Sequence, residues 1–217
     1  MTPNSLTTIA SLLADPARAE MLLAMMDGRV HPASDLAAIA HVSPSTASHH
    51  LAALVEGGLV TVTQIGRCRY HGLAGPEIAE LLESIGSLSP ASLRAARPLA
   101  ECRSCYDHLA GRFGIRLRKG LEAREFVRLE GDRFTVSPSG FEFFTEFGID
   151  VAALKAKRRP LARACIDWTE RVPHIGGSLG AALLSRLLDR GWVTRGDIPR
   201  SLTVTPVGEE CLQSFGL

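Results

Sequence analysis

The sequence predicts a mainly helical α+β chain in two parts, with small β-hairpins set among its helices. Three observations lead there. Residues 33–73 read as helix, tight turn, helix and two strands joined by a Gly-Arg tip. The stretch beyond residue 98 reads as one pattern written twice. The length, 217 residues at 46% hydrophobic, is enough for a core in each of two domains. The expected division is 1–88, a linker at 89–97 within the Gly/Ser/Pro-bearing GSLSPASLRAAR, and a duplicated domain at 98–217 with repeats near 98–150 and 160–217.

The first part is the most specific. Ser43 can cap the second helix and Pro44 can take its first position, where no amide bond is lost. Ala47, Leu51, Leu54 and Val55 recur at helical spacing as a buried stripe. Gly57 and Gly58 end the helix. Ser45, Thr46, His49 and Ala53 face away from the stripe, short or small enough to approach base edges closely. Ser48 and His50 flank that face, where phosphate contacts are natural, and Ser43 at the cap joins the same set. Leu59, Val60 and Val62 begin a strand, Gly66 permits a turn, and Arg67 and Arg69 supply a basic tip and return strand. The order is a winged helix-turn-helix, which lays its second helix in the major groove of double-stranded operator DNA and grips backbone or minor groove with the wing.

Residues 8–73 resemble the ArsR/SmtB family of repressors: Ala10 to Arg18 (ASLLADPAR) is similar to that family's opening motif, SPSTASHHLAALVEGGLV to its recognition-helix block and GRCRYHGL to its wing. The resemblance implies a homodimer on operator DNA, released by an effector. It also implies an interface made by the first helix, with Leu6, Ile9, Leu12 and Leu13, and the helix after the wing, with Ile78, Leu81, Leu82 and Ile85. The same spacing fits packing within one domain. Two departures matter. The place of the family's Cys-x-Cys metal pair reads His31-Pro-Ala-Ser-Asp35, and the helix after the wing, GPEIAELLESIG, has no histidine. Neither familiar metal site carries over. His41 stands where relatives often have glycine, a position that asks for an unfavourable backbone conformation.

Charge is uneven. Through Pro90 there are four Arg or Lys against eight Asp or Glu, about −4, and beyond it 20 against 15, about +5. Phosphate attraction by the first part is therefore modest, and His49 and His50 can make binding pH-sensitive. No run of 18 residues is apolar enough to span a membrane, the start lacks the pattern of a secretory signal, and five scattered cysteines do not make a disulfide scaffold. A cytoplasmic regulator without membrane contact is expected.

In the second part, HLAGRFGIRLRKGLEAREFVRL from His108 lies over HIGGSLGAALLSRLLDRGWVTR from His174, and FTVSPSGFEFFTEFGI over LTVTPVGEECLQSFGL. Each unit reads as helix, helix, hairpin, helix. Such halves pack about an approximate two-fold axis and leave a shared cleft, a natural effector chamber. Cys105-x-Asp107 matches Cys165-x-Asp167, with six extra residues before the second histidine. Cys105, His108, Cys165 and His174 could make a tetrahedral site for a thiophilic ion such as zinc, or Cys102 and Cys105 could instead join Cys165 as three thiolates. Equally, Tyr106 and Trp168 could clamp a small organic effector, Cys102-x-x-Cys105 could be a redox pair, or the cysteines could be inert filling. Leu99, Cys102, Tyr106, Leu109, Phe113 and Leu117 fall on one helical face, which places Cys102 in a core. No P-loop, nucleophile elbow or dinucleotide turn is present, and an enzyme is not expected.

Overall fold

The computed structural model describes residues 3–66, 68–87, 99–214 and 216. Arg67 and the expected linker at 89–97 lie outside them. Two compact units emerge, Met1–Leu82 and Glu83–Leu217.

The first unit opens with helices α1 (Pro3–Leu13) and α2 (Pro16–Met25). Asp15 caps α2, accepting from Arg18 N at 2.9 Å, and the Arg18 guanidinium reaches back to the end of α1, donating to Leu12 O and Ser11 O at 2.8 Å each. Those bonds occupy carbonyls that a helix end otherwise leaves open. Strand β1 (His31–Pro32) leads into α3 (Ala33–Ile39), and α4 (Pro44–Glu56) follows a turn in which His41 takes a left-handed φ of 53°. Ser43 caps α4, accepting from Thr46 N at 3.2 Å. The two glycines at its end have different tasks. Gly58 is left-handed at φ 73°, whereas a Cβ on Gly57 would stand 2.1 Å from Leu12 Cδ1. The buried stripe of α4 is Ala47, Leu51 and Leu54; Val55, expected with them, is exposed at the helix's last turn.

Strands β2 (Val60–Ile65) and β3 (Cys68–Leu73) form the wing, antiparallel from Val60 opposite Leu73 to Ile65 opposite Cys68, and β1 pairs with the far edge of β3. Asp27, almost fully buried, holds that edge by accepting from Arg29 N at 2.9 Å and bonding His31 Nε2 at 3.1 Å. Helix α5 (Pro76–Ser87) comes after the wing.

The second unit corrects the expected repeat. The residues expected as a leading helix in each half form hairpins instead, β4 (Arg103–Cys105) with β5 (His108–Ala110), and β8 (Ala164–Ile166) with β9 (Pro173–Ile175). Each half runs hairpin, helix, hairpin, helix. The first continues with α6 (Gly111–Ala123), β6 (Val127–Glu130), β7 (Arg133–Val136) and α7 (Pro138–Glu146), with α8 (Val151–Lys155) after it. The second continues with α9 (Gly177–Asp189), β10 (Val193–Arg195), β11 (Leu202–Val204) and α10 (Pro206–Ser214). The helical spacing from Leu99 to Leu117 is coincidental. Tyr106 turns the chain at φ 57° and Gly111 at φ 78°, and left-handed residues at both places interrupt a helix.

The halves interlock. The leading hairpin of each bonds the trailing hairpin of the other: Ser104 N donates to Arg200 O at 2.8 Å and Leu202 N to Cys102 O at 3.0 Å, while Ala164 N donates to Asp132 O and Phe134 N to Ala162 O, both at 2.9 Å. Strands β5 and β9 lie against each other, and each packs on the other half's helix, α9 and α6 respectively. One core draws on both halves, including Phe113, Leu121, Phe144, Leu179, Leu187 and Trp192.

Candidate functional site

Two groups of side chains stand out, one in each unit. In the first, Ser45, Thr46, Ser48 and His49 are exposed on α4, opposite Ala47, Leu51 and Leu54. The Ser43 hydroxyl links to Ser45 Oγ at 2.9 Å and Thr46 Oγ1 at 2.8 Å, so the helix's first turn presents a hydroxyl cluster. Ser48 donates to Pro44 O at 3.0 Å. His50 is engaged within the fold, its Nδ1 3.4 Å from Arg18 Nη1 and 3.9 Å from Asp15 Oδ1. Arg69 is exposed and, with Ser48, Ala52 and Val55, lines a cleft of about 480 Å3 between α4 and the wing. Arg67 belongs to the expected contact set but is outside the described residues.

In the second unit, register decides the geometry. Cys105 stands directly opposite His108 across the first hairpin, and Cys165 opposite His174 across the second. The six extra residues of the second hairpin enlarge its loop and leave this pairing intact. The two hairpins bring their Cys/His ends together. Cys105 Sγ lies 3.9 Å from Cys165 Sγ, and His108 Nε2 lies 3.1 Å from His174 Nε2. The four donor atoms all fall within 4.8 Å of one another, the only such group of His, Cys, Asp or Glu among the described residues. Cys105, His108 and His174 are buried and Cys165 is half-buried. The shared cleft expected between the halves is filled at this point by side chains in contact. Tyr106 sits in the first turn, and Trp168 is buried beneath Arg103, whose guanidinium stacks 4.8 Å from its ring. Cys102 lies in the apolar core, where burial pushes its thiol up to about 12.

Each imidazole turns its outer nitrogen to a carboxylate. His108 Nδ1 is 3.2 Å from Asp107 Oδ1, and His174 Nδ1 is 3.5 Å from Asp167 Oδ2 without hydrogen-bond alignment. Burial works against the ionised Asp107, but His108 and Arg159, which bonds both its oxygens, outweigh it and hold the carboxyl at about 2. Asp167 is fully buried, which also opposes its charge. The Arg103 guanidinium at 2.9 Å, Thr169 Oγ1 at 2.7 Å and Gly111 N at 2.7 Å hold it far below the carboxylate range. Burial, joined by the neighbouring His108, keeps His174 neutral. Contact with Cys165 and burial push the Cys105 thiol well up. The backbone carbonyl of Ser104, next to Cys105, accepts from Arg200 Nε at 3.2 Å, and Arg200 in turn pairs with Glu83 of the same unit.

The supporting residues Arg103 and Arg200 were not singled out from the sequence, and Arg159 stood out only as part of a basic run with Lys155, Lys157 and Arg158 that reads as solvated surface. The repeated Cys-x-Asp was the one signal that pointed to Asp107 and Asp167.

Residues 15–62 match the family model described as bacterial regulatory protein, arsR family. The chain is 39% identical over 216 residues to the uncharacterized HTH-type transcriptional regulator YdfF of Bacillus subtilis, covering 96% of this chain and 95% of that protein. It is 37% identical over 82 residues to the HTH-type transcriptional regulator CmtR of Mycobacterium bovis, covering 38% of this chain and 69% of that one. Among solved structures, a homodimeric winged helix-turn-helix DNA-binding domain from the same organism superposes with a TM-score of 0.37 at 26% identity, over 39% of this chain and 78% of that one.

Proposed function

This chain belongs to the ArsR family of HTH-type transcriptional regulators, and we propose that it is a homodimeric repressor released from its operator by an effector held in the second unit. DNA binding by the first unit is the family's activity. The observation that carries the rest is the closed Cys/His cluster where the two leading hairpins of the second unit meet, since nothing in the winged helix itself offers an equivalent group of donor atoms among the described residues.

Base readout is assigned to Ser45, Thr46 and His49, phosphate contact to Ser43, Ser48 and Arg69, with Arg67 and His50 as further members of the set. The exposure of the α4 residues supports this for all but His50, whose ties to Asp15 and Arg18 reduce its reach. Dimerisation is assigned to α1 and α5, where Leu6, Leu81 and Ile85 leave apolar side chains exposed. A winged helix on a palindrome reads two half-sites about one helical turn apart.

The test is selection of bound duplexes from a random pool by the full chain, then footprinting and a reporter placed behind the selected sequence. A palindromic footprint and a silenced reporter support the reading. A footprint of one half-site, or a reporter that is activated, overturns the dimer or the repressor respectively.

A further inference from the structure

Zinc in an S2N2 tetrahedron, with Zn–S about 2.3 Å and Zn–N about 2.0–2.1 Å, sets an S···S edge of about 3.8 Å and an N···N edge of about 3.3 Å. The protein holds the two thiols 3.9 Å apart and the two Nε2 atoms 3.1 Å apart. Both like-atom edges are in place, and the mixed edges, about 3.6 Å in that tetrahedron, close by at most about 1.2 Å from the 4.8 Å limit that contains all four atoms. We propose that Cys105 Sγ, Cys165 Sγ, His108 Nε2 and His174 Nε2 form a mononuclear tetrahedral site for a divalent thiophilic ion of the zinc class. This deepens the effector reading above and rests on it only for the regulatory consequence.

Three further features favour an ion over a packed cluster of thiols and imidazoles. First, the outer nitrogen of His108 bonds the Asp107 carboxylate, an arrangement that aims Nε2 inward and raises its basicity as a ligand, and the outer nitrogen of His174 lies 3.5 Å from Asp167 Oδ2. Second, the charges balance. Asp107 is neutralised by Arg159 and Asp167 by Arg103. The centre is then left with two thiolates, which a divalent ion brings to zero, and a buried site strongly prefers zero. A monovalent ion leaves −1. The thiolates disfavour hard ions such as magnesium or calcium. Third, the backbone makes room. A Cβ on Gly180 would stand 2.2 Å from Ile175 O and 3.0 Å from His108 Cβ, and one on Gly176 would stand 3.3 Å from both His108 Nε2 and Cys165 Cβ. The glycines after His174 admit the histidine of the other half.

Loading is balanced by proton release: each Cys thiol, and the imidazole that carries a proton between the two Nε2 atoms, gives that proton to solvent as the bond to the metal forms, and the ion is neither reduced nor oxidised. Half-buried Cys165 offers the approach from solvent.

The full chain, reduced and stripped with a chelator, is titrated with cobalt(II) and then zinc(II), without DNA. The expected result is one cobalt per chain, with the visible absorption of a tetrahedral centre and a thiolate-to-cobalt charge-transfer band, both abolished by one zinc. Cys165→Ser loses part of the charge-transfer band and the tight binding, and Asp107→Asn weakens zinc by about 10–100-fold. Should Cys165→Ser fail to fold by circular dichroism, zinc-edge X-ray absorption of the wild-type protein decides, with a shell of two sulfurs and two nitrogens expected. A weak octahedral cobalt spectrum, no stoichiometric ion, or an all-oxygen/nitrogen shell overturns the site. The stripped chain is expected to bind DNA, since the ion acts by release; failure of the site in these measurements with DNA binding intact would overturn this inference and leave the DNA-binding reading standing.

Discussion

Arg103 of one half and Asp167 of the other form an ion pair at 2.9 Å in which both side chains are completely buried. Asp167 also accepts from Gly111 N, Thr169 N, Thr169 Oγ1 and Glu170 N, and it faces His174. The pair therefore joins the two halves and backs one of the four clustered donors.

Replacing Arg103 with Ala leaves Asp167 charged and unpaired in the interior, which costs about 3–5 kcal/mol. Urea denaturation followed by circular dichroism should show that loss in the second unit's transition. The double replacement Arg103→Met with Asp167→Asn should recover part of it, because the uncompensated charge is gone while the amide oxygen still accepts from the backbone donors that Asp167 holds. Equal losses in the single and double variants would show that the pair is not an energetic unit.

Reading of DNA and grip on DNA separate by residue. His49→Ala should reduce the preference for the best base pair at its position by about 1–3 kcal/mol. Arg69→Ala should weaken every duplex about equally and reduce the salt slope by about 1. Fluorescence anisotropy across a set of single-base operator variants at several salt concentrations measures both. A uniform loss for His49→Ala would place the reading elsewhere on α4.

The wing carries a pH dependence of its own. Burial, with the nearby Arg69, lowers the pKa of His71 below its ordinary 6.5, against a hydrogen bond from its ring to the His31 backbone that raises it. Below pH 6.5 the unfolded chain takes up a proton that the folded chain resists, so stability falls as pH drops from there towards the folded value. Asp27, whose pKa is lowered from 3.8 by His31 and Arg29 against burial, acts in the same direction but at lower pH. Thermal melts between pH 7 and pH 5 should show the decline, and His71→Gln should flatten it. An unchanged slope in that variant would assign the effect to other groups.

The winged helix was legible because its signals are local. Ser43-Pro44 starts a helix and Gly57-Gly58 ends one wherever they fall, and alternation in Val60 to Val62 declares a strand. The second unit was legible in its duplication and in the four residues Cys105, His108, Cys165 and His174, since equivalent positions meet when halves pair about an axis. Its leading hairpins were not. Three-residue strands are too short to display a period, and the bonds that hold them run to Arg200 and Asp132 in the opposite half, distant in sequence. Arg103 was illegible for a related reason: an arginine looks like surface until a buried carboxylate 64 positions away is brought against it.

The most direct measurement is the affinity of the full chain for its selected operator with and without one equivalent of zinc, in the wild type and in Cys165→Ser. The account predicts that zinc weakens wild-type binding by about 5–150-fold, the usual range for coupling between two sites, and leaves Cys165→Ser unmoved. Identical affinities for the loaded and stripped wild-type protein would contradict it.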